Sequence, residues 1–125
     1  MKIVIDSNRV IAALIKESTT RDILFKRHFC FVAPDFIQTE LHKYQGDIMK
    51  KANLIEEEFS ILLSLLFENI EIIPESDYEE FIHKCEGEIK HKKDIPYLAV
   101  APAIHADGIW SHDPHFLEQK KVKIF

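Results

Sequence analysis

Lys2-Ile3-Val4-Ile5-Asp6-Ser7-Asn8 decides how the rest of the chain is read. Ile3, Val4 and Ile5 are β-branched and follow one another with no polar alternation, which suits a strand buried on both faces of a parallel sheet. The run stops on Asp6, and Ser7-Asn8 leads into the helical spacing of Val10, Ile11, Leu14 and Ile15. A strand therefore ends in an acid and turns directly into a helix. In open α/β sheets ligands bind beyond the carboxyl ends of such strands. Asp6 thus stands either at a site or as the cap of the first helix, a role that Asn8 could also fill.

The chain has 125 residues, 46% of them hydrophobic, with only three glycines. That fits one globular domain, 1–125, able to bury a proper core. The formal charge of −5 lacks the basic signature of a duplex-DNA binder. It leaves room for nucleic acid if some carboxylates hold divalent cations. Cys30 and Cys85 are too few for a disulfide framework, match no metal-ligand spacing, and are expected as buried thiols. With no leader before the first strand and no apolar run of membrane length, a cytoplasmic protein away from membranes is expected.

Outward from the first strand, a helix is expected from Arg9 to about Lys16, and a second short one through Ile23, Leu24 and Phe25. Phe29 to Ala33 is another apolar run, closed by Pro34-Asp35, and reads as strand two. One helix then spans about Asp35 to Ala52, with Phe36, Ile37, Leu41, Tyr44 and Ile48 facing inward. Glu40 lies at the edge of that stripe, where a carboxylate costs desolvation unless something compensates it, whether a metal or a lysine. Asn53 and Glu56 read as a capping box for the next helix. From Phe59 to Phe67 that helix is apolar almost all round, so it is either deep core or half of an interface.

Ile70 to Ile73 is strand three, and Ser76 with Glu79 opens a further helix through Cys85. Lys90, Lys92 and Lys93 precede Asp94, either as a solvated turn or as phosphate contacts. Asp94-Ile95-Pro96 reads as a capped helix start, and Pro102 predicts a kink in the buried helix that follows. Ile109-Trp110-Ser111 is strand four, running into His112-Asp113. Val122 to Phe125 reads as a final edge strand.

Strands alternating with helices argue for a mostly parallel sheet with helices on both faces. Right-handed crossovers place every strand-to-helix turn on one edge. If strands one and four are neighbours, Asp6, Glu40, Asp94 and Asp113 converge there. Without counter-charge at least one would take up a proton. Magnesium or manganese resolves that repulsion, because hard cations prefer carboxylate oxygens and water.

These pieces together resemble a PIN domain, the nuclease fold found in VapC-type toxins and in RNA-processing enzymes. The matching segments are Ile5 to Asn8, Glu40, Asp94 to Ala99, and Ala106 to Phe116. Their order and spacing carry the resemblance, which covers essentially the whole chain. It implies a three-layer α/β/α fold with strand order 3-2-1-4-5. It implies that Asp6, Glu40, Asp94 and Asp113 bind Mg2+ or Mn2+, with Asn8 and Ser111 orienting Asp6 and the metal or its water. The implied activity is metal-dependent endoribonuclease action on RNA, with a homodimer and an antitoxin protein as expected partners. Two departures stand out: His115 occupies a position that is often acidic in the family, and Pro102 replaces a helix former.

The alternative is a weak or inactive PIN-fold protein serving as an RNA- or protein-interaction module. A haloacid-dehalogenase-type phosphatase needs a second Asp where this chain has Asn8, and a receiver-type phosphoacceptor fits Glu40 and Asp94 poorly. His112 and His115 flank Asp113, yet with no third soft ligand nearby they read as surface residues or phosphate contacts rather than as a zinc site.

Overall fold

The buried run Ile3-Val4-Ile5 forms the centre of an all-parallel sheet. A computed structural model describes residues 1–26 and 28–125. Strands β1 (Lys2–Ile5), β2 (Cys30–Pro34), β3 (Ile70–Ile73) and β4 (Gly108–Trp110) lie in the order β3-β2-β1-β4. Ile3 sits opposite Phe31 in β2 and opposite Gly108 in β4, and Ile5 pairs with Trp110. The fifth strand of the expected order is reduced to one parallel bridge, Ile109 to Ile124. It lies on the expected edge, beside β4. Gln119 explains why it is so short: its side chain bonds the carbonyls of Phe116 and Val122 and folds the tail into a turn just before the pairing.

The helices are α1 (Ser7–Ile15), α2 (Thr19–Leu24), α3 (Phe36–Lys43), α4 (Gln45–Ala52), α5 (Glu56–Phe67), α6 (Glu75–Cys85) and α7 (Ile95–Ala103). The chain steps from β1 to β2 to β3 in one direction, then crosses back to β4. Right-handed connections therefore put α1 to α5 on one face and α6 and α7 on the other. The packing agrees, since α7 lies against β1, β2, β4 and α6, while α1 packs on α2, α3, α4 and α5. Both faces of the sheet are covered, which is why its central strands are apolar along Ile3-Val4-Ile5 and Phe31-Val32-Ala33.

Several local expectations are corrected by tertiary contacts. The helix expected from Asp35 to Ala52 breaks at Tyr44, whose φ of −98° and ψ of 6° leave the α region. The break lets α4 turn and pack on α1. Asn53 does not start a helix: with φ of 56° it closes α4 in the left-handed conformation that Asn tolerates well. Glu58, not Glu56, receives the N–H of Ile55 at the start of α5. Helix α6 begins at Glu75 rather than at a Ser76–Glu79 box. Its first N–H and the Tyr78 hydroxyl both donate to Asp35, at 3.2 and 2.6 Å.

Pro102 falls in the last turn of α7, so the chain leaves the helix there instead of kinking through it, and His105 completes the exit with φ of 55°. Cys85 is buried as expected but Cys30, first residue of β2, is exposed. Helix α5 is neither wholly core nor wholly interface. Phe59 and Leu66 are buried, whereas Ile61 and Leu65 are 56% and 43% exposed. No helix among the described residues is long and apolar enough to cross a membrane.

Gly108 decides whether the C-terminal tail can dock. A Cβ there would lie 2.7 Å from the Lys123 carbonyl oxygen and 2.6 Å from the Phe125 ring. The ring could swing away, but the carbonyl accepts the Ile109 N–H at 2.9 Å and cannot. Gly108→Ala is expected to cost about 1–3 kcal/mol by overpacking. Urea unfolding measures the loss, and limited proteolysis should show the tail beyond Gln119 released first.

Candidate active site

The reversal of chain direction across the sheet leaves a crevice beyond the ends of β1 and β4. Asp6 follows β1, and its N–H donates to the Trp110 carbonyl at 3.2 Å, which holds it beside the end of β4. Ser111, the first residue after β4, donates its hydroxyl to Asp6 Oδ2 at 2.7 Å and accepts the Asp113 N–H at 2.9 Å. One serine thus fixes both strand-end acids. Asp113 Oδ1 accepts the His115 N–H at 2.9 Å, which starts the short 3-10 helix Pro114–Glu118.

Glu40 comes from α3 and Asp94 from the 3-10 turn Lys92–Asp94 that runs directly into α7. Asp94 does not cap that helix, since its backbone is helical and its side chain makes no capping bond. Asp6 makes no full capping bond to α1 either, though the first N–H groups of that helix lie close enough to favour its charge. Both carboxylates are left for the crevice. All four acids line one cleft of about 320 Å³, so the sequence expectation that they meet there agrees with their positions. Asp6, Glu40 and Asp94 are 2%, 8% and 4% exposed.

Lys51 and Lys93 line this cleft, but neither pairs with an acid. Among the described residues no lysine or arginine forms an ion pair with any of the four acids; only His115 approaches Asp94 and Asp113. Burial raises the Asp6 carboxyl above its ordinary range, the Ser111 bond opposes this, and Asp113 adds repulsion. Burial likewise raises Glu40, against the Tyr97 bond, with Asp6 adding to the rise. Asp94 rises through burial and then through the charges of Asp113 and Asp6, while His115 and Lys93 pull it down. Asp94 Oδ2 is buried with no hydrogen-bond partner, an arrangement that costs free energy unless a ligand completes it.

Other expected residues divide. Ser111 is tied to Asp6 as described. Asn8 lines the cleft with an exposed side chain, and it is the backbone N–H groups of Asn8 and Ser7 that favour the charged Asp6. Lys93 also lines the cleft, but Lys90 and Lys92 line a neighbouring cleft of about 830 Å³ with Ile82, Pro96 and Glu118. The three lysines are therefore not one patch, because the tight turn into α7 sends alternate side chains to different sides.

Tyr97 was not singled out by sequence reasoning, yet its hydroxyl donates to Glu40 Oε1 from the buried face of α7. Burial and the adjacent Glu40 charge push the Tyr97 hydroxyl far above its ordinary value, so it keeps the proton that it donates to Glu40. The signal was present: Tyr97 is a polar-tipped residue in an otherwise apolar helix, three positions after Asp94. Asp47, placed by its spacing toward the far end of its helix, also lines the cleft because of the break at Tyr44.

Comparison with known proteins gives a consistent picture. The PIN domain family model matches residues 4–122. Among solved structures, the chain is similar to one in the crystal structure of VapBC2 from Rickettsia felis bound to a DNA fragment from their promoter. The TM-score is 0.72, at 18% sequence identity, over 100% of this chain and 98% of the other. That likeness carries the fold. No curated protein matches the sequence.

Raised carboxyl pKa values have a consequence for stability. Such a group keeps its proton in the native state where the unfolded chain has already lost it. Native stability therefore falls as pH rises from about 4, the unfolded value, through the raised native value. The metal-free protein is expected to lose Tm across that window. Asp6→Asn should flatten the loss and stabilise the metal-free protein near pH 8 by about 1 kcal/mol, a few degrees in Tm. Thermal unfolding in chelator at several pH values checks this, and a lower Tm for Asp6→Asn near pH 8 would contradict it.

Proposed function

The chain belongs to the PIN domain family, and on that premise we propose that it is a divalent-metal-dependent endoribonuclease. It would hydrolyse RNA phosphodiester bonds in the cytoplasm as the toxin of a toxin–antitoxin pair. One observation carries this reading: Asp94 Oδ2 is buried and unpartnered in a cleft shared with Asp6, Glu40 and Asp113. Carboxylates gathered with no lysine or arginine among the described residues paired to them fit a hard divalent cation, magnesium or manganese. Asp6, Glu40, Asp94 and Asp113 would hold it. When bound, such an ion polarises a phosphodiester and yields an activated water at neutral pH.

The chain's own residues supply the positioning. Ser111 occupies one oxygen of Asp6 and the Tyr97 hydroxyl one oxygen of Glu40, which fixes the orientation of both carboxylates. Buried α7 gives Asp94 a rigid base. Asn8 at the rim offers an amide to substrate or water. Lys93, exposed beside Asp94, is the basic residue placed to meet an RNA phosphate on a protein of net charge −5. The exposed apolar residues Ile55, Ile61 and Leu65 support a covered surface on α5 and its start, where an antitoxin protein or a second copy would sit.

Asp94→Asn and Glu40→Gln are expected to cut RNA cleavage by roughly 100-fold or more, the scale of losing an acid–base or metal-holding group. Chelation should abolish cleavage in the parent, with magnesium or manganese restoring it. Undiminished cleavage by Asp94→Asn would remove the assignment. A separate measurement concerns RNA capture. Lys93→Ala should reduce the salt dependence of binding by about one unit of slope, uniformly across sequences. Lys90→Ala and Lys92→Ala, on the neighbouring cleft, should do less. Equal effects at all three positions would extend the RNA path over both clefts.

A further inference from the structure

His115 is half-buried beside the acidic cleft, but its ring nitrogen is buried against two of the acids. Its Nδ1 lies 3.0 Å from Asp113 Oδ1 and 3.4 Å from Asp94 Oδ2. At those distances a ring N–H aimed at either oxygen would form a hydrogen bond. It forms none, and both Nδ1 and Asp94 Oδ2 are buried without a partner. The ring nitrogen is therefore not directed at either oxygen. Instead, one donor atom from each of Asp94, Asp113 and His115 lies within 4.8 Å of the others.

Donors in that relation surround a point rather than bond one another. Around an octahedral ion with bonds of about 2.1 Å, neighbouring donors sit about 3 Å apart and opposite ones about 4.2 Å. The separations of 3.0 and 3.4 Å are of the neighbouring kind.

Two further contacts fix the ring. His91 stacks on it, with centroids 3.6 Å apart and an interplanar angle of 17°. The Asp113 carboxylate accepts the His115 backbone N–H and anchors the turn that carries it. His112, the residue immediately before Asp113, plays no such part, because its Nδ1 is engaged by Arg9.

Given a metal in this cleft, the premise on which the inference rests, we propose that His115 Nδ1 is one of its ligands. The centre is then mixed nitrogen and oxygen, and selects a first-row transition-metal ion over magnesium. The chemistry is that of ligand preference. Magnesium takes oxygen donors almost alone, whereas imidazole favours the transition metals in the Irving–Williams order. His91 is a positioning residue that holds the imidazole plane.

The test reads the metal itself rather than cleavage. Manganese(II) bound to the full-length protein should show nitrogen coupling in pulsed EPR, lost in His115→Ala. Competition between manganese and magnesium, followed by EPR, should give an affinity ratio that falls about tenfold in His115→Asp, the scale of changing one shell of a metal site. His115→Asp supplies an all-oxygen site, so it serves if the alanine variant folds poorly. His91→Ala should broaden the nitrogen coupling while keeping it. Manganese binding that Asp94→Asn abolishes, yet with no nitrogen coupling and an unchanged ratio in His115→Asp, would overturn the role of His115 and leave the acidic centre standing. Manganese binding untouched by Asp94→Asn would overturn both.

Discussion

The Ser111 hydroxyl bonds Asp6 at the point where the chain, having built the sheet outward through β2 and β3, returns to the other side of β1. That contact is possible only because β1 and β4 run parallel in a register that sets Ile5 opposite Trp110. Strands that end level bring their following residues together. Asp6 and Ser111 meet, Ser111 receives the Asp113 N–H, and Asp113 starts the turn that brings His115 against Asp94. A shift of one residue in the pairing would turn every side chain of β4 to the opposite face and dissolve this series of contacts.

The site opposes the fold that carries it. Buried acids repel one another and lose hydration, and each of Asp6, Glu40 and Asp94 is pushed toward its protonated form. The sheet and α7 offset this strain with an apolar core that includes Val4, Ile5, Phe31, Tyr97, Leu98 and Phe116, all nearly inaccessible. Two neutral donors, Ser111 and Tyr97, orient carboxylates without cancelling their charge. Lysine or arginine in their place would cancel the charge that a cation needs. The cleft therefore keeps unsatisfied charge while the layers around it hold it in place.

Helix α7 shows how one segment serves both needs. Ile95 and Tyr97 to Ala101 are all buried, so the helix has almost no solvent face and little freedom to move. Asp94 enters it with helical backbone, and Tyr97 leans one turn further on toward Glu40. The acid and the hydroxyl that orients a second acid thus share one rigid body. Pro102 ends the helix once that task is done, without disturbing either residue.

The apolar runs of β1 and β2, the acids at strand ends and the buried helix after Asp94 were legible in the sequence, whereas the sheet order came only with the family resemblance. The former rest on local rules: uninterrupted apolar runs need cover on both faces, and a capped, apolar segment makes a buried helix. What lay outside it are the features made by distant partners. Tyr44 breaks a helix that periodicity continues, because packing α4 on α1 outweighs one turn of helical bonds. Asp35 takes the start of α6 from a local capping box because β2 and β3 bring it there, 40 residues away in sequence. The lysines before Asp94 separate by the geometry of a turn, and His115 gains its carboxylate neighbours only when α7 and the end of β4 are adjacent. Sequence determined which residues could form a cation site, since charge and strand position are local properties. Tertiary structure alone decided which oxygens and which imidazole nitrogen are left without partners, since a hydrogen bond is satisfied or denied only by what the fold sets beside it.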